Sequence, residues 1–286
     1  MKKLLFYFLI LSPLLSAAQR PDKKLEAQVK AAITGFNGDI GVYIKNLRTG
    51  RVVKINADSI FPTASVVKVP IMVGIADKLA RQELKYEQKL TYRDSLLYEG
   101  EDILGSFKDG EKIALNKVIM LMLTTSDNTA SLWLQSLAGT GTRINELMNG
   151  LGLKYTRVNS RTTGREADRT KYGWGQTTPG EIANLFEMIY EKQIISTASS
   201  EQMMRLLSRN FWDAEGLSQV PPTVAVFSKN GAVDASRSEV MLVNDCRNPY
   251  LLAVFTKNNK DISWTPANEA WVLIKKISKM AWDHYK

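Results

Sequence analysis

Between residues 25 and 36, apolar side chains recur at Leu25, Val29, Ala32 and Ile33, the spacing of one helical face. The period then changes. Residues 40–46 and 52–55 read as two strands joined across Arg48-Thr49-Gly50, where glycine supplies the positive φ of a hairpin turn. From Thr63 to about Met204 the pattern is mostly helical, with strongly apolar segments over 115–123 and 129–137. Strand character returns over 223–228, 239–243 and 250–256, and a helical pattern over 266–282 closes the chain. Strands near both ends with helices between them predict an α/β chain of the α+β type. Its antiparallel sheet is flanked by N- and C-terminal helices and carries an inserted, mostly helical lobe. The expected division is one domain over 19–286, with a sheet lobe at about 19–62 and 221–286 and a helical lobe at about 63–220. The boundary between lobes is where a pocket is expected. One segment breaks the pattern: 159–175 is polar, carries Gly164, Gly173 and Gly175, and is too long for an ordinary connection.

With 44% hydrophobic and 23% charged residues in 286, the chain buries a core, which excludes disorder, collagen and coiled-coil rods. No apolar run beyond the first twenty residues reaches the roughly 20 needed to span a bilayer. Residues 1–18 read as an export signal: Lys2 and Lys3, an apolar stretch over 4–15, then Ser16-Ala17-Ala18 before Gln19. The mature protein is therefore expected outside the cytoplasm, periplasmic or secreted. No cysteine follows that stretch, so a lipid anchor is not expected.

The formal net charge is +9, but the basic residues are scattered, without runs or interleaved aromatics, which argues against nucleic-acid binding. Such a balance favours anionic substrates or surfaces without specifying one. The single cysteine, Cys246, has no intrachain partner and reads as a small apolar residue near a turn. The single histidine, His284, removes His-based nucleophile triads and multi-His zinc sites. Hydrolytic chemistry must then run on Ser, Thr, Lys, Tyr, Asp or Glu, with no metal or organic cofactor implied.

Ser65-Val66-Val67-Lys68 is a Ser-x-x-Lys motif. On a helix, positions i and i+3 share a face, so the lysine amine reaches the serine hydroxyl. The amine acts as a base only after losing its proton, which burial or a nearby cation promotes. Thr63 is a candidate N-cap placing Ser65 in a first turn, and Pro70 implies a kink or a freed carbonyl. Ser126-Asp127-Asn128 follows an apolar helix and by itself reads as a helix N-cap. Lys229-Asn230-Gly231 ends a strand-like run and by itself reads as a strand lysine before an Asn-Gly turn.

Taken together and in this order, the three motifs resemble those of the serine β-lactamase and penicillin-binding protein superfamily, most closely class A β-lactamases. Ile40-Gly41-Val42, Phe61-Pro62 ahead of Ser65 and Thr177-Thr178-Pro179 after the long loop extend the resemblance over nearly the whole mature chain. The resemblance implies a serine hydrolase that opens a cyclic amide through an acyl-enzyme on Ser65, with Lys68 accepting or relaying the proton. The backbone N–H groups of Ser65 and Ala232, the residue after Lys229-Asn230-Gly231, would hold the oxyanion. Ser126 would protonate the departing nitrogen with Lys229 polarising its hydroxyl, and Asn128 would bind the substrate's side-chain amide. Arg237 is either a ligand of the substrate carboxylate or a solvated strand arginine, and Tyr98 either stacks at the pocket rim or is simply half-buried. The implied partner is a small-molecule β-lactam or peptidoglycan-like substrate, and the protein is expected to be a monomer.

Two positions depart from the family pattern. Asn230 stands where Thr or Ser is usual, although an amide still donates a hydrogen bond to a carboxylate. The loop lacks the Glu-x-x-Leu-Asn signature: counting back from Thr177, the glutamate position falls near Thr162 and the asparagine position near Glu166. Glu166 is then either a base that activates the hydrolytic water from another side or an exposed loop residue paired with Arg165 or Arg169. The alternatives carried are a D,D-peptidase-like or other amide or ester hydrolase, and a binding protein that acylates and deacylates poorly.

Overall fold

The computed structural model describes residues 19–98, 102–208 and 210–286, so the proposed export signal lies outside the described residues. Six strands form the main sheet in the order Arg20–Pro21, Arg51–Ile55, Asp39–Asn46, Tyr250–Lys257, Ser236–Asn244, Ala225–Val233. Every pairing is antiparallel except that of Arg20–Pro21 with Arg51–Ile55. The hairpin between the first long strands turns at Gly50, φ +68°, with Asn46 Oδ1 accepting the N–H groups of Arg48 and Thr49.

Both faces of this sheet are covered, which is why its central strands read as nearly continuous apolar runs rather than alternating ones. On one face, helices Lys23–Ile33 and Glu269–Tyr285 pack Leu25, Val29, Ile274 and Ile277 against Val42, Ile44, Met241 and Val254. On the other face, Tyr43, Val240, Leu242, Leu251, Ala253 and Phe255 meet the helical layer. That layer is centred on the buried helix Lys68–Ala80, with Leu115–Thr124, Asn128–Leu137 and Thr140–Gly150 around it. Among the described residues no helix is long and apolar enough to cross a membrane.

The structure corrects three local expectations. The strand carrying Lys229 does not stop at an Asn-Gly turn but runs on to Val233, with Asn230 opposite Glu239 and Gly231 opposite Ser238. Ser65 sits in a 3₁₀ turn, Ala64–Val67, rather than in an α-helix capped by Thr63, whose buried hydroxyl finds no partner among the described residues. Pro70 falls in the first turn of the α-helix that begins at Lys68, where its missing N–H has no intrahelical acceptor to lose.

The 159–175 segment is not structureless either. It holds the short helix Glu166–Tyr172, and its two ends are tied where Asn159 and Ser160 both donate to the Trp174 carbonyl, at 2.8 and 3.0 Å. The Arg165 guanidinium bridges Asn159 Oδ1 and Gln176 Oε1. Strands Arg157–Val158 and Gly175–Thr177 then pair with each other, and the second also with Phe61–Pro62, the strand that leads into Ser65. A small three-stranded sheet thus fixes the loop against the serine turn.

Candidate active site

Three segments converge on Ser65, and two of them are strained. Ala64 has φ +43° and Ser126 has φ +65°, the left-handed region that residues with a Cβ rarely occupy. Backbone strain of this kind costs about 1–3 kcal/mol and persists where the surroundings enforce it. Around Ser126, Asp102 and Asp127 tie the segment that follows it. Asp102 accepts the N–H groups of Asn128 and Thr129 at 2.9 and 2.7 Å. Asp127 caps helix Asn128–Leu137 through the Ala130 N–H, at 2.7 Å, and also holds the Leu104 N–H. The third segment is strand Ala225–Val233, which approaches so closely that a Cβ on Gly231 would lie 2.5 Å from the Thr63 carbonyl and 2.9 Å from the Ser65 nitrogen. Only glycine lets the strand reach the serine turn.

Lys68 is the hub. Its fully buried amine lies 3.0 Å from Ser65 Oγ, 3.0 Å from Ser126 Oγ and 2.8 Å from Asn128 Oδ1, and it also donates to the Ser126 carbonyl. The carbonyl and the amide oxygen accept only, so they take two N–H bonds. A neutral amine then has its lone pair left for a serine hydroxyl, whereas an ammonium has no acceptor capacity at all. Burial, with the nearby Lys229 charge second, pushes the Lys68 pKa well below the ordinary lysine range, against the pull of Asp102 and Asp127. The amine thus lies within hydrogen-bond reach of two hydroxyls and is shifted toward its neutral form.

Lys229 is also fully buried, and burial pushes its pKa down to about 7. Its hydrogen bonds go to the Asn230 carbonyl, at 3.0 Å, and to Asn230 Oδ1, at 3.3 Å; among the described residues none joins it to Ser126. The Asn230 side chain is drawn the other way as well, its Nδ2 donating to the Trp212 carbonyl. Glu239 is buried on the neighbouring strand, where it accepts the N–H groups of Gly216 and Leu217, and burial pushes its pKa up to about 7.

Ser65, Asn128 and Ala232 border two clefts, one on each side of the serine. The first, about 530 Å³, is closed by Tyr98, by Lys171, Tyr172, Gly173 and Trp174 of the long loop, and by Lys257. Tyr98, 40% exposed, meets Trp174 edge to face at 4.9 Å, so the rim residue singled out in the sequence does border the site. The second, about 660 Å³, contains Ser126, Asn230 and Gly231 and is walled by Trp212, Trp264 and Trp271.

Four candidates line neither cleft: Lys68 and Lys229, both fully buried, and Glu166 and Arg237. Glu166 is exposed at the outer end of the loop, where its carboxylate accepts the Gly164 N–H at 3.1 Å; Arg165, its expected partner, pairs with Asp168 instead. Thr162, at the family's glutamate position by count, turns inward against Gly141 and donates to the Ser160 carbonyl. Arg237 is buried rather than solvated. Its guanidinium donates to the carbonyls of Val233, Asp234, Ser236 and Ser263 and lies 4.5 Å from the Trp264 ring centre, behind the cleft wall.

Sequence reasoning missed Asp102, Trp174, Lys257 and the three tryptophans of the second wall. Trp174, isolated between Gly173 and Gly175 in a polar loop, was a usable signal. Asp102 was not, because its role comes from two amides far along the chain. Among the described residues no group of three or more His, Cys, Asp or Glu side chains is placed to hold a metal ion.

Two serine hydroxyls within reach of one buried lysine amine, set at the junction of a helical layer and an antiparallel sheet, form the arrangement of a serine hydrolase of the acyl-transfer type. A model of the β-lactamase enzyme family matches residues 24–285, and the chain belongs to that family. Among its relatives, β-lactamase VEB-1 of Pseudomonas aeruginosa is 23% identical over 273 residues, covering 91% of this chain and 90% of that one. An imipenem-hydrolysing β-lactamase of Enterobacter cloacae is 24% identical, covering 91% and 89%. Of solved structures, PBP-A matches with a TM-score of 0.83 at 23% identity over 93% of this chain and 97% of its own. A β-lactamase from Chitinophaga pinensis matches with 0.82 at 20%, over 92% and 100%.

Proposed function

We propose that this protein opens β-lactam rings by acylation of Ser65, and that hydrolysis of the acyl-enzyme is its slow step. The single observation that carries the reading is the Lys68 amine, 3.0 Å from both Ser65 Oγ and Ser126 Oγ. Ser65 Oγ attacks the carbonyl carbon while Lys68 takes its proton, and the charge on the carbonyl oxygen falls to the N–H groups of Ser65 and Ala232. The C–N bond then breaks, Ser126 gives its proton to the departing nitrogen, and Lys68 returns a proton to Ser126. Asn128 positions the amide of the substrate's acyl side. Deacylation needs a water activated beside the new ester. Among the described residues the loop side of Ser65 offers Lys171, Tyr172, Gly173 and Trp174 and no carboxylate, which supports slow release.

A second reading, a D,D-peptidase-like or penicillin-binding role, draws on the absence, among the described residues, of a loop carboxylate lining the cleft beside Ser65 and on the fold shared with PBP-A. The relatives' β-lactamase names and the leader-like residues 1–18 favour an exported enzyme working outside the cytoplasm. Whether the enzyme sits within class A is decided by deacylation. Mass spectrometry of the intact protein mixed with benzylpenicillin tests the proposal: a Ser65 adduct that outlasts the substrate's first turnover supports it, and no adduct with no substrate loss refutes it.

A further inference from the structure

The two clefts beside Ser65 carry opposite charge. Among the described residues, the charged side chains lining the loop-side cleft are Lys171 and Lys257; those lining the other are Asp102 and Glu215, the latter paired with Lys275 at 3.3 Å. Ser126, which protonates the leaving group in the mechanism above, borders only the acidic cleft. The acyl portion of the substrate therefore enters the basic one. There Lys257 is held in place by its bond to the Ile60 carbonyl, at 2.9 Å, and by the Phe61 ring, 4.9 Å from its amine. Asp39, opposite Lys257 in the sheet register, is taken up by the Asn258 side chain. Lys171, at the loop edge, lies 5.1 Å from the Tyr172 ring centre. Among the described residues neither lysine forms an ion pair. Tyr98 and Trp174 supply aromatic wall between them.

We infer that the preferred acyl group combines an aromatic ring with a negative charge: the ring packs on Tyr98 and Trp174 and the anion is met by Lys257 and Lys171. The inference rests on Ser65 being the nucleophile and on Ser126 marking the leaving-group side. An unpaired cation fixed by a carbonyl and a ring face is pre-organised for an incoming anion, because little side-chain freedom remains to be lost. A screened, partly exposed pair of this kind is worth about fivefold in rate.

The test is a matched series of penicillins with one nucleus and three side chains: phenylacetyl, α-carboxyphenylacetyl and α-aminophenylacetyl. Second-order acylation rates are read by intact mass at low ionic strength. The expected order is anionic over neutral by about fivefold and neutral over cationic by a similar factor. The anionic advantage shrinks in salt and collapses in a Lys171→Met, Lys257→Met double variant. Ser65 adducts forming at equal rates across the series, or fastest with the cationic member, overturn this inference and leave the nucleophile assignment standing. No adduct with any of the three removes the nucleophile assignment and this inference with it.

Discussion

The two walls that face each other across Ser65 are built to different standards. On one side, Lys68, Ser126 and Asn128 are locked by a buried amine, two capping aspartates and two left-handed residues. On the other, the 159–175 segment is held firmly at its ends, by Asn159, Ser160, Arg165 and Gln176, but presents only a lysine, a tyrosine, a glycine and a tryptophan to the serine. On the proposed mechanism the first wall supplies the base and the proton donor of acylation, while among the described residues the second brings no carboxylate to the cleft. Making and clearing the acyl-enzyme are separable tasks, and the proposed mechanism assigns the closely tied wall to the first.

The largest effect expected is at the nucleophile. Ser65→Ala removes the attacking atom and lowers acylation on the order of 10⁶-fold, with thermal unfolding unchanged; residual covalent labelling would overturn the assignment. Next is Lys68→Met, which keeps the volume and removes the base. Acylation should fall by about 10²–10⁴-fold, and Lys68→Arg should not restore it, because a guanidinium stays protonated. Because the base must be neutral, acylation in the wild type falls as pH drops through the lowered Lys68 pKa, and that limb disappears in the methionine variant. Gly231→Ala places a methyl against the Thr63 carbonyl and the Ser65 nitrogen, pushing strand and serine apart. A misplacement near 1 Å costs about 10²-fold, read as slower acylation in a folded protein.

The buried pair behind the first wall gives a stability signature. Glu239, pushed up to about 7, keeps its proton in the folded state between its ordinary value of 4.5 and 7, so its contribution to stability falls as pH rises through that window. Lys229, pushed down to about 7, is neutral when folded and charged when unfolded between 7 and 10.5, so its contribution rises there. Glu239→Gln should cancel the first slope. The difference in unfolding free energy between variant and wild type should then change by about 3 kcal/mol between pH 4.5 and 7. Parallel curves in urea titrations would show that Glu239 titrates normally. The smallest effect belongs to the second wall: Glu166→Gln should leave both acylation and turnover within about twofold. A trapped acyl-enzyme in that variant would mean that the loop rearranges to bring this carboxylate to the ester.

Most of the first wall was legible in the sequence because its chemistry is local. A serine three residues before a lysine, or a Ser-Asp-Asn after an apolar helix, specifies both residue type and spacing. The sheet was legible for the same reason, since strand periods and the Gly50 turn are short-range signals. What escaped depends on contacts distant in sequence. Asn230-Gly231 looks like a turn, yet strand Ser236–Asn244 keeps it in the ladder and the Thr63 carbonyl explains the glycine. Arg237 reads in sequence as either a carboxylate ligand or a solvated strand arginine, yet four backbone carbonyls and the Trp264 ring enclose it. Glu166 was placed by counting along a loop whose path is set by Arg165 and Gln176, and counting cannot give a direction.

The central claim is that the Ser65 wall acylates well and the loop wall clears the product slowly. Intact-mass spectrometry of the wild type after mixing with benzylpenicillin, sampled alongside substrate loss, measures both at once. The account predicts rapid, complete labelling of Ser65 and an adduct that decays much more slowly than it forms. Rapid substrate consumption with no accumulated adduct would contradict it and would mean that an efficient water-activating group reaches the acyl-enzyme.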